Sequence, residues 1–263
     1  MEQKIYDGRI YSCNKIYVDL DSLEDVLRKD VVNRYNMLKS NKSHKTVELF
    51  TRDMKLPFIL KNCNVDSIRY FIISNQDKNR GALENLVMEN NNKLLGILGN
   101  YINRCLIYVK RYFGGKLPAG NVDTNIKKSI NNLYDNVGKM IESKQFNSAL
   151  DEIFIYIKKA NEYFDNNQPW IQVDENRSEN EQVLYNCIII IANLSNLLEP
   201  FMPECCSKIR RFLDISIPKW EYIEETKIIK VNKLSPLFDW IDIDDIKDDI
   251  KKYNYNSLKG GIS

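Results

Sequence analysis

From Leu94 to Leu194 apolar residues return every three or four positions, the period of an α-helix and not the alternation of a strand. Leu94, Leu98, Tyr101, Cys105 and Val109 form one stripe; Ile126, Ile130, Leu133, Val137 and Ile141 a second; Ala149, Ile153, Ile157, Ala160 and Phe164 a third. A fourth follows Ser178, with Val183, Leu184, Cys187, Ile188, Ile191 and Leu194, and ends near Glu199-Pro200. Gly114-Gly115 with Pro118, Asn147-Ser148 and Gln168-Pro169 punctuate the breaks. Helices with one apolar face must bury it against one another, so the spacing predicts a bundle of four long helices. Phe201-Met202-Pro203 opens a fifth, short helix to about Leu213.

The flanks read differently. Ile5, Tyr6, Ile10, Tyr11, Ile16, Tyr17 and Val18 alternate around Asp7-Gly8 and Cys13-Asn14, which predicts a hairpin or two. A helix follows from Asp19 to about Ser40, with Leu23, Val26, Leu27, Val31, Tyr35 and Leu38 on helical spacing, then a polar loop over Ser40–Lys45. Val47–Phe50 reads as a strand and Leu56–Ile73 as a helix with an apolar end. Beyond Trp220 the chain is less regular, with a strand at Lys227–Val231, an acidic helix over Asp242–Tyr253 and a frayed end at Lys259-Gly260-Gly261. The expected fold is mainly α: a helix bundle with a small N-terminal α/β appendage, divided into residues 1–75 and 76–263.

Composition narrows the chemistry. The 38 basic and 36 acidic residues leave a net charge of +2, so an anionic partner must be met by a local basic face. His44 is the only histidine, which excludes His-x-Gly-His nucleotide signatures, His-Glu-x-x-His zinc sites and three-histidine metal sites. The six cysteines form no Cys-x-x-Cys pair, and a reducing cytosol without metal or cofactor is expected. The first seven residues have no signal-peptide core, and the longest apolar run, Cys187–Ala192, is far short of the roughly 18 residues that span a bilayer.

Two features stand apart from packing. Lys93, Asn100, Arg104 and Arg111 are separated by seven, four and seven residues and share the polar face of the first long helix. A guanidinium fork and an amide one turn apart suit the edge of an unpaired base, although a polar helix face can also be simply solvated. Pro169 fixes the turn before Trp170, which either offers its indole for stacking or folds it over the end of the bundle. Trp220 and Trp240 lie in the tail and read as packing residues.

These residues carry a family resemblance. Asn92-Lys-Leu-Leu-Gly-Ile-Leu-Gly-Asn-Tyr-Ile-Asn-Arg104 and Lys110-Arg-Tyr-Phe-Gly-Gly-Lys-Leu-Pro118 resemble the first helix of the anticodon-binding bundle of methionyl-tRNA synthetases. Val65-Asp-Ser-Ile-Arg-Tyr-Phe-Ile-Ile-Ser74 is similar to the link before that bundle, which contacts the tRNA stem region. Ala160-Asn-Glu-Tyr163 with Pro169-Trp170, Glu199-Pro-Phe-Met-Pro203 and Pro236-Leu-Phe238 follow in family order, so the resemblance runs from about Lys55 to Ile241. It implies recognition of a CAU anticodon, chiefly its wobble cytosine, by Asn100, Arg104 and Trp170, with Pro169, Arg111 and Lys93 beside them.

The departures bear on activity. The family's His-x-Gly-His signature cannot exist here, and neither Leu49-Phe-Thr-Arg-Asp53 nor Lys39-Ser-Asn-Lys-Ser43 is a clean match to its Lys-Met-Ser-Lys-Ser loop. The expectation is a non-catalytic, cytoplasmic, monomeric RNA-binding protein that recognises the anticodon loop of a methionine tRNA or a tRNA-like RNA. The alternative is an anticodon-binding or docking subunit of a split synthetase with a separate catalytic chain.

Overall fold

The computed structural model describes residues 14–18, 20–40, 47–51, 59, 61–74, 82–170, 177–215, 218–223 and 230–259. In chain order the elements are β1 (Asn14–Val18), α1 (Leu20–Ser40), β2 (Val47–Thr51), α2 (Val65–Ser74) and α3 (Ala82–Glu89). α3 runs without a break into a π-helical segment (Asn90–Gly99) and then α4 (Asn100–Phe113). α5 (Thr124–Glu142), α6 (Phe146–Asn167), α7 (Arg177–Leu197), α8 (Pro203–Leu213) and α9 (Ile243–Lys259) complete the chain. No helix among the described residues is long and apolar enough to cross a membrane.

α7 is the axis. From Val183 to Met202 every residue is buried, with α4, α5, α6 and α8 packed around the helix. The expected stripes on the surrounding helices face it: Leu94, Leu98, Tyr101, Cys105, Val109, Ile153, Ile157 and Phe164 are all fully buried. Polar groups inside such a helix must find partners in the protein, and its asparagines find them on the connecting loops. Asn193 Oδ1 accepts from the Ile223 N–H, Asn196 Oδ1 from the Lys219 N–H and Asn186 Oδ1 from the Asp123 N–H. The segments around 123 and 219–223 are thereby tied to the axis.

The mainly α class holds, but no separate α/β appendage is seen. Leu23, Leu27, Val31 and Tyr35 of α1 enter the same core as the bundle, and Tyr35 donates to Glu142 of α5. The apolar face of α1 finds cover only there, which is why the helix does not stand apart. Of the segment expected to form hairpins only β1 lies among the described residues, and it pairs in parallel with β2, from Asn14 opposite Val47 to Val18 opposite Thr51, across α1. Residues 4–11, His44 and the rest of the 41–46 loop, the start of the helix expected from Leu56, residues 227–229 of the expected tail strand and Gly260-Gly261 lie outside the described residues, as does part of each candidate signature loop.

A buried ionic cluster joins α1, α2 and the turn after α7. Arg69 donates to the Pro200 and Phe201 carbonyls and pairs with Asp30 at 2.8 Å, while Arg210 pairs with Glu199 at 2.7 Å. Asp66 accepts the Cys205 N–H at 2.6 Å, which caps α8 from 139 residues away, because Met202 at the N-cap supplies no side-chain bond.

From Lys230 to Ile241 the chain forms a strap across the bundle. Gly115 (φ 82°) accepts the Val231 N–H at 2.7 Å, and a Cβ on Gly115 would lie 2.9 Å from the Val231 carbonyl oxygen. Asn232 donates through its backbone to Phe212, and Lys208 to the Pro236 carbonyl. At the far end Asn91 treats Ile241 as a strand neighbour, with Oδ1 accepting its N–H at 3.0 Å and Nδ2 donating to its carbonyl at 2.9 Å. Asn90 donates to the Asp239 carbonyl at 2.9 Å and to Asn91 Oδ1, and accepts from Ser67. Both asparagines are buried although adjacent, and both open the segment wound with i→i+5 turns.

Burial pushes the Asp66 carboxyl from its ordinary 3.8 up to about 7, against the lowering effects of the Cys205 N–H and of Arg69. Its Oδ1 has no hydrogen-bond partner among the described residues. Between about pH 4 and pH 7 the folded chain holds a proton that the unfolded chain has released, so stability falls as pH rises through that window, by on the order of 4 kcal/mol. Thermal unfolding from pH 5 to pH 8 should show this decline, and Asp66→Asn, which stays neutral and keeps an acceptor for Cys205, should flatten it.

Candidate nucleic-acid interface

The end of α6 builds the site. Gln168 caps the helix in the left-handed region (φ 42°), its N–H bonding the Phe164 carbonyl, and the chain doubles back. A non-glycine residue held there costs on the order of 1 kcal/mol, offset by what the turn positions. Pro169 is buried behind the turn, and Trp170 lies half-buried against the bundle. Its ring centroid sits 5.3 Å from Phe164 and 5.9 Å from Tyr108 of α4. Of the two sequence readings for this indole, the geometry combines both: one part packs on the bundle and the rest stays accessible.

Arg104 reaches the same place from α4. Its guanidinium stands 4.9 Å from the Phe164 ring centroid and 5.5 Å from that of Trp170, and Nη2 pairs with Asp165 Oδ1 at 2.5 Å. The arginine side chain keeps 30% of its exposure and Asp165 51%, so the pair is solvated and exchangeable. Asn100 is exposed one turn before Arg104, and Arg111 is exposed two turns beyond it, over Tyr112 at 5.5 Å. Tyr108 and Tyr112 stack at 5.6 Å with 10° between their planes. Arg104, Tyr108 and Tyr112 thus form a row at i, i+4 spacing leading to the indole.

Lys93 does not join this row. It pairs with Glu89 at 2.9 Å and lies 6.0 Å from the Tyr70 ring centroid, on the α2 side. The seven-residue spacing to Asn100 crosses the π segment, whose wider turns break the 3.6-residue register that would place both on one face. Two contributors escaped the sequence reading: Asp165, and the tyrosine pair, whose spacing was a usable signal. Trp220 packs edge-on against Tyr35 and Tyr134, as expected, whereas Trp240 is 70% exposed, contrary to its reading as a packing residue. No group of three or more His, Cys, Asp or Glu that could hold a metal is found among the described residues.

A guanidinium and an indole thus meet at the end of α6, with an exposed amide one turn away on α4. Residues 123–241 match the family of anticodon-binding domains of tRNA ligases, and the chain carries such a domain. More particularly, over most of its length the chain is similar to the anticodon-binding part of methionine–tRNA ligases. The chain is 38% identical over 207 residues to methionine–tRNA ligase of Bacillus cereus (strain Q1), covering 78% of this chain and 38% of that protein. It is 37% identical over the same length to methionine–tRNA ligase of Bacillus mycoides (strain KBAB4). The chain therefore spans less than half the length of these relatives. Among solved structures, the apo form of Mycobacterium tuberculosis methionyl-tRNA synthetase superposes with a TM-score of 0.63 at 20% identity, over 76% of this chain and 45% of that one, a likeness of fold.

Asp165 holds Arg104 and adds a negative charge beside the guanidinium. Asp165→Asn should leave thermal stability within about 1 kcal/mol, since the pair is exposed, and should tighten binding of a single-stranded RNA loop in a titration.

Proposed function

We propose that this protein binds RNA without catalysing a reaction, and that it recognises the anticodon loop of a tRNA, or of a tRNA-like RNA, carrying CAU. The observation that carries this reading is the convergence of Arg104 and Trp170, from helices 61 residues apart in their Arg104–Asp165 contact, beside the exposed amide of Asn100. The base at the wobble position stacks on Trp170 with its edge toward Arg104 and Asn100, and a cytosine supplies the acceptors that a guanidinium requires. Pro169 sets the turn that holds the indole, and Arg111 with Lys110 and Lys116 meets the phosphates. Lys93, held by Glu89, acts at a distance from the base. The link at Val65–Ser74 lies toward the RNA stem, and the protein works as a monomer.

Trp170→Ala should cost about 1 to 3 kcal/mol of affinity for a CAU stem-loop. Arg104→Ala should weaken binding and reduce the preference for cytosine over uracil at the wobble position. Fluorescence anisotropy titrations with matched loops read both effects, and unchanged affinity in both variants would falsify the assignment. Affinity should also fall by about 0.7 log units per log of salt for each phosphate neutralised, a slope that Lys110→Ala and Arg111→Ala should lower.

A second reading rests on the likeness to the anticodon-binding part of methionine–tRNA ligases: the domain serves a separate catalytic polypeptide as the anticodon-binding part of a split methionine–tRNA ligase. Aminoacylation of methionine tRNA, restored when the protein is added to an extract depleted of the full-length enzyme, would favour it. No restoration would leave the first reading in place.

A further inference from the structure

The face of α4 next to the row just described carries a second depression. Arg104 and Tyr108 turn toward Trp170, whereas Gly99, Asn103 and Leu106 line an open pocket of ≈ 670 Å³ between α4 and strap residues 234–240. Asn100 borders the pocket and the row alike. The pocket's floor is apolar, with Leu106 fully buried and Leu237 and Phe238 nearly so, while Asn103, Ser235 and Asp239 supply polar edges. Its volume is that of a small-molecule site. Among the described residues no cation lines it and its one charged side chain is the Asp239 carboxylate, so a neutral ring suits it and a phosphate does not.

Trp240 stands at this pocket as the most exposed large apolar side chain among the described residues, at 70%. An indole left in water gains nothing for the fold, yet the backbone on both sides of it is pinned. The Asp239 carbonyl accepts from Asn90, and Ile241 is held by Asn91 through both its N–H and its carbonyl. The π segment makes this possible by burying Asn90 and Asn91 side by side under the strap. Ordering costs for the main chain at Trp240 are therefore met before any ligand arrives, which is how a preformed stacking platform differs from a loose tail.

We propose that this pocket takes a second unpaired nucleobase, the neighbour of the base held at Arg104 and Trp170. That base stacks on Trp240 with the Asn103 amide at its edge, a pairing in which the amide's donor and acceptor suit the N6 and N7 atoms of adenine. The proposal rests on the anticodon-loop reading above. It adds that two bases are splayed to opposite sides of the ridge that Asn100 forms, with the phosphates kept outside, away from Asp239.

The test is a titration of the full chain with a CAU stem-loop and with loops lacking one base at a time. Trp240→Ala should lower affinity by about 5- to 150-fold, and Trp240→Phe should retain most of it. The unfolding temperature should stay unchanged, since the indole is exposed. Deleting the base next to the wobble position should abolish the effect of Trp240→Ala and leave that of Trp170→Ala intact. If Trp170→Ala weakens binding and Trp240→Ala does not, this inference falls and the parent reading stands. If neither variant weakens binding, both fall. A Trp240→Ala loss that persists whichever base is removed would assign the indole to another contact and overturn the second subsite.

Discussion

Everything in this fold follows from one helix having no face for water. α7 is buried all round from Val183, so α4, α5, α6 and α8 must surround it, and their single apolar stripes are the surfaces that do so. The same burial turns Asn186, Asn193 and Asn196 into anchors, because their amide oxygens inside the bundle accept from the N–H groups of the loops that pass them. Where α7 ends, Glu199 and the carbonyls of Pro200 and Phe201 are met by Arg210 and Arg69, which carries α2 and α1 into the same core.

The candidate site sits where that packing runs out. Phe164 is the last core residue of α6, and the turn at Gln168 lays Trp170 on it. The aromatic surface is thus continuous with the core on one side and accessible on the other, an arrangement that presents a stacking plane already ordered. Arg104 is held over that surface by a solvated carboxylate, a contact weak enough to exchange for another partner. Specific recognition in this design needs little net charge, in keeping with a chain that carries +2.

The parts legible in the sequence were those governed by a single face. Stripes such as Ile130–Ile141 and Ala149–Phe164 gave both helix and buried side, and the Asn100–Arg104 spacing gave an amide and a guanidinium one turn apart on α4. Three parts were not legible. The π segment keeps an apolar pattern that a regular helix would also show, so nothing in Asn90–Gly99 revealed that Lys93 leaves the Asn100 face. α1 has the composition of an independent amphipathic helix, and its contacts with α2, α5 and Trp220 make it part of the bundle. Trp240 is a tail tryptophan like Trp220, and their opposite exposures depend on where the strap is pinned.

The sequence by itself determined the helices, their buried stripes and the polar and aromatic residue types at their exposed edges, because periodicity and turn chemistry act over a few residues. Tertiary structure decided which of those residues meet. Arg104 and Trp170 come together only because α4 and α6 both need the cover of α7, and Trp240 is held out only because two asparagines, brought side by side by a change in helix winding, grip the chain around it. Such encounters depend on burial shared between distant segments, which no local pattern records.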